Sequence, residues 1–87
     1  MESYIFMSMV QFERILEQII IPRYKELVGV SVTTMGLDDS WFRVVYSFTP
    51  PLDRSDAITI MEETTSLYKM LGVKGGDIIV SFEPYEE

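Results

Sequence analysis

Two stretches in which apolar residues recur at alternate positions flank a short run of turn residues, and this pattern restricts the chain more than any other feature. In Val28-Gly29-Val30-Ser31-Val32-Thr33-Thr34-Met35, Val28, Val30 and Val32 share one face, and Ser31, Thr33 and Met35 share the other. Gly36-Leu37-Asp38-Asp39-Ser40 supplies a turn, and from Trp41 to Thr49 the alternation resumes. Phe42, Val44, Tyr46 and Phe48 fall on one side; Trp41, Arg43, Val45, Ser47 and Thr49 fall on the opposite one. A side-chain period of two belongs to an extended strand. Neighbouring alternations joined by a polar loop predict an antiparallel hairpin with one aromatic-rich core face. Thr49-Pro50-Pro51-Leu52 ends it, because proline cannot donate to a strand ladder.

Elements of period 3.6 flank the hairpin. Ser8 followed three residues later by Gln11 forms a capping box, so a helix is expected from about Met9, with Met9, Phe12, Ile15, Leu16, Ile19 and Ile20 inward and Glu13, Arg14, Glu17 and Gln18 outward. Pro22 disfavours helical geometry at Ile21 and stops it. Upstream, residues 3–7 are apolar and aromatic and read as a strand; the rival is a longer helix beginning at Ser3. Asp53 or Ser55 caps a second helix running to about Leu71, with Gly72 placed to end it. Its expected inward stripe is Ala57, Ile58, Met61, Thr64, Thr65, Tyr68 and Leu71, with Ile60, Leu67 and Met70 beside it and Glu62, Ser66 and Lys69 in water. Lys74-Gly75-Gly76-Asp77 is a turn, Ile78 to Phe82 a last strand, and residues 83–87 a frayed acidic tail.

Strand, helix, strand, strand, helix, strand predicts a ferredoxin-like βαββαβ sandwich: a four-stranded antiparallel sheet with both helices on one face. Without the first strand, an αββαβ arrangement with a three-stranded sheet remains. At 87 residues the chain suits a single domain over 1–87.

The chain contains no histidine and no cysteine, which removes imidazole acid–base chemistry, thiolate nucleophiles and the usual nitrogen and sulfur metal ligands. Asp38 and Asp39 suit a turn and lack the spacing of a calcium loop. Asp53 and Asp56 suit the first turn of a helix. Lys74-Gly75-Gly76 lacks the phosphate-loop spacing. No catalytic residue, cofactor site or metal site is named on this basis.

The net charge of −7 divides into −2 over residues 1–49 and −5 over residues 50–87. Such a balance disfavours nucleic acid and anionic membrane surfaces as partners. The N-terminus lacks the pattern of a secretory signal and no apolar run is long enough to span a bilayer, so a soluble, cytoplasmic protein is expected.

The sheet face turned away from the helices is the candidate interaction surface: Met35, Trp41, Arg43, Val45 and Ile79, with Ser31, Thr33, Ser47 and Ser81 between them. Its mixed character predicts a small non-enzymatic binding or regulatory domain that meets a protein partner or a second copy of itself. The bland counterpart is a scatter of apolar residues, with Trp41 folded over the sheet edge. Two other readings are a small-metabolite enzyme or ligand-sensing domain, with Tyr46, Tyr68 or Glu63 converging on a pocket, and an acidic nucleic-acid mimic.

Overall fold

The computed structural model describes residues 9–36, 41–71 and 77–85, which form two helices on one face of a three-stranded mixed sheet. Helix α1 spans Met9–Ile19, a 3₁₀ turn follows at Ile21–Arg23, and strands β1 (Leu27–Met35) and β2 (Trp41–Phe48) form the expected hairpin. Helix α2 spans Arg54–Met70 and leads to β3, Ile78–Pro84. Of the two expected arrangements, αββαβ is the one these residues show; residues 3–7, Asp38, Asp39 and Lys74-Gly75-Gly76 lie outside the described residues.

The sheet order is β1-β2-β3, with β1 antiparallel and β3 parallel to β2. The all-antiparallel expectation is therefore corrected. A split strand-helix-strand unit needs a foreign strand between its own two. Here Phe42 pairs with Ile78, Val44 with Val80 and Tyr46 with Phe82, so the two strands joined through α2 are immediate neighbours. The expected frayed tail is also corrected at its start: Glu83 and Pro84 pair with Ser47 and Phe48, and the Tyr85 N–H donates to the Phe48 carbonyl at 2.7 Å.

The core lies between this sheet and both helices. Phe12, Leu16 and Ile20 descend from the α1 side, Ile60, Thr64 and Tyr68 from α2, onto Val32, Phe42, Val44 and Tyr46. Phe12, Phe42 and Tyr68 form a triangle of rings with centroids 5.7 to 6.2 Å apart, tilted or edge-on, so three elements meet at one aromatic cluster. Tilted contacts suit the ring quadrupoles and add about 0.5–1.5 kcal/mol per pair beyond area burial.

Four facing assignments shift, beginning in α1, where Met9 and Ile19, expected inward, are exposed. Val28 is exposed, because a bulge between Leu27 and Gly29 breaks the alternation and turns Leu27 inward in its place. In α2 the buried line is Ile60, Thr64 and Tyr68, spaced four residues apart, with Leu67 and Leu71 packed beside it; Ile58, Met61 and Met70 are exposed. Apolar residues occur all round α2, so its stripe is set by the sheet it meets rather than by its own pattern. Glu13, expected in water, turns to the sheet: its Oε1 accepts from the Val32 N–H at 2.9 Å. Among the described residues β1 is an edge strand, and this carboxylate occupies a donor that no described strand satisfies.

At the helix ends, Asp53 holds the N-cap position of α2 in extended geometry, but its side chain makes no cap bond and instead accepts from Ser55 Oγ at 2.9 Å. No described helix is long and apolar enough to cross a membrane.

Candidate functional site

Strand register assembles the face turned away from the helices. Met35 stands opposite Trp41; Thr33, Arg43 and Ile79 form the next row; Ser31, Val45 and Ser81 the next; Gly29, Ser47 and Glu83 the last. Alternation sends these side chains opposite to Phe42, Val44 and Tyr46, which are buried under the helices. Met35, Trp41 and Ile79 keep 37, 39 and 38% of their surfaces exposed, Arg43 is exposed, and Val45 is half-buried. All five residues singled out in the sequence thus lie on neighbouring positions of one surface. The parallel pairing adds Glu83, hidden in the sequence by its place in an apparent tail. The face carries a cation at Arg43 and an anion at Glu83, two rows apart with the Val45 row between them.

Trp41 stands at a corner. Its surface also borders a cleft of about 440 Å³ lined by Thr65, Tyr68 and Lys69 of α2 and by Asp77 and Ile78 where β3 begins. Trp41 therefore borders both the end of the open face and the end of the helix layer, at the start of the central strand. The Phe42 N–H donates to the Asp77 carbonyl at 3.0 Å and ties the two strand starts together beneath this cleft.

The three groups expected to converge do not. Tyr46 is wholly buried, with its hydroxyl 2.6 Å from Thr64 Oγ1, and burial pushes its pKa up to about 12. Glu63 lies at a groove between the helices, where its Oε2 accepts from Arg23 at 3.0 Å. Its carboxylate, after burial, helps push the nearby Tyr24 hydroxyl up. Tyr68 alone reaches the cleft. Its residue is 6% exposed, its hydroxyl has no hydrogen-bond partner, and burial together with the Asp77 charge raises its pKa. Lys69 and Asp77 were missed as a pair because the first reads as a solvent-facing helix position and the second as a turn residue; only the β2–β3 pairing unites them.

Among the described residues no group of three acidic side chains is placed to hold a metal ion. What the arrangement offers is a mixed sheet face and, around one corner, a small cleft with two hydroxyls, of which Thr65 already donates to the Met61 carbonyl, one ammonium and one carboxylate. No protein-family model, curated protein or solved structure matches this chain.

Proposed function

We propose that the chain is a small binding or regulatory domain that pairs with a second copy through the open face of its sheet. The observation that carries this reading is the self-complementary layout of that face. Val45 sits at its middle, Arg43 two residues to one side, and the Glu83 row two residues to the other. A two-fold axis running across the strands through Val45 sets Arg43 of each copy beside Glu83 of its mate. It also stacks Val45, the apolar residue of the row between them, on its counterpart, as an isologous interface requires.

Size decides the strength. The face is three strands wide, and β3 is seven residues long. With strands about 4.8 Å apart and a rise of about 3.4 Å per residue, its footprint is about 340 Å² per copy. A standard interface covers roughly 800 Å² per partner, more than twice as much. Pairing is therefore weak and reversible, which suits a regulatory contact.

Sedimentation equilibrium from about ten micromolar to about one millimolar tests it, the range in which a weak interface populates both states. Val45→Asp abolishes association. Arg43→Glu and Glu83→Arg each weaken it, and the combined charge swap restores it. A chain that stays monomeric across that range, or one whose association ignores all three substitutions, overturns the proposal. The cleft beside Trp41 supports a second reading, in which the domain senses a small ligand.

A further inference from the structure

We propose that the cleft at the starts of β2 and β3 binds a small zwitterion carrying a flat apolar group, of which a free aromatic amino acid is the simplest member. Its volume of about 440 Å³ falls within the range of small-molecule sites. Trp41 gives it an aromatic wall, and Tyr68, itself anchored by Phe12 and Phe42, lines it from the helix side.

One buried polar group there lacks a partner, and two exposed charges flank it. The Tyr68 hydroxyl is buried and has no partner, and native structures leave few buried hydroxyls so without a reason. Lys69 and Asp77 carry opposite charges at the same cleft, yet among the described residues the one ion pair joins Arg23 to Glu63. A lone anion would meet the Asp77 carboxylate, and a lone cation would meet the Lys69 ammonium. A ligand bearing both charges satisfies both. Its carboxylate takes the Lys69 ammonium and the Tyr68 O–H as donors, its ammonium donates to Asp77, and its flat group lies on the indole.

Trp41 is the sole tryptophan, so its fluorescence reports occupancy directly. The experiment titrates the full chain at fixed concentration with L-phenylalanine, N-acetyl-L-phenylalanine and L-phenylalaninamide. The expected result is a saturable change with the free amino acid and at least about tenfold weaker binding by each blocked form, the effect of losing one charge-assisted contact. Tyr68→Phe keeps the ring in its aromatic cluster and Lys69→Met alters an exposed position, so both fold. Each weakens L-phenylalanine about tenfold. Val45→Asp, which removes pairing, leaves the titration unchanged and separates this site from the sheet-face contact. No saturable change, equal response to all three compounds, or indifference to both Tyr68→Phe and Lys69→Met overturns the proposal.

Discussion

Removing one partner of the Tyr46–Thr64 pair exposes an asymmetry in the core. The two oxygens are 2.6 Å apart and both residues are wholly buried, so neither can turn to water. Thr64→Val leaves the Tyr46 hydroxyl with nothing to bond, a loss of about 2 kcal/mol within the roughly 1–3 kcal/mol range for an orphaned buried group. Tyr46→Phe is milder, at about 1 kcal/mol, because a helical threonine can donate to the carbonyl four residues back. Thr59 and Thr65 already do so, to Ser55 and Met61 at 3.0 and 2.9 Å. The double variant leaves no orphan and also costs about 1 kcal/mol, so the coupling is about 2 kcal/mol. Urea unfolding followed by circular dichroism measures all four corners. In a domain of this size about 1 kcal/mol moves Tm by about 4–8 °C, so Thr64→Val melts about 8–16 °C lower. Additive single effects, or a neutral Thr64→Val, would refute the reasoning. Alkaline titration supplies an independent readout. Burial favours the protonated phenol in the folded state, so this stabilisation is complete below pH 10 and is lost as pH rises from 10 toward about 12. A two-unit shift corresponds to on the order of 3 kcal/mol, and Tyr46→Phe removes that part of the alkaline loss.

Two further substitutions probe features that local patterns concealed. Glu13→Ala frees the Val32 N–H on the edge of β1 and speeds hydrogen exchange at that amide, whereas Glu13→Gln retains an acceptor and most of the protection. The alanine variant costs about 1 kcal/mol; equal exchange in both variants would contradict the contact. Ile60 is wholly buried, whereas Met61, one position round the helix, is exposed. Ile60→Ala therefore costs about 2–5 kcal/mol. Met61→Ala stays within about 0.5 kcal/mol of the parent chain. Chemical unfolding of the two variants checks the helix orientation, and a reversed order of costs would overturn it.

The hairpin, both helices and the inward set Phe42, Val44, Tyr46 and Phe48 were legible in the chain because each depends on a local period or a proline. The face bearing Met35, Trp41, Arg43 and Val45 followed from the same alternation, since packing one side of a strand leaves the other open. Long-range pairing carries no such local mark. Residues 42 and 78 become neighbours only when the crossover through α2 docks β3 beside β2, and that event brings Glu83 onto the open face and Asp77 to the cleft. The rotation of α2, the outward turn of Val28 and the reach of Glu13 to Val32 likewise answer to surfaces distant in the chain. Periodicity tells which side chains can share a face; which backbone lies opposite is settled by the competition of whole elements for one core.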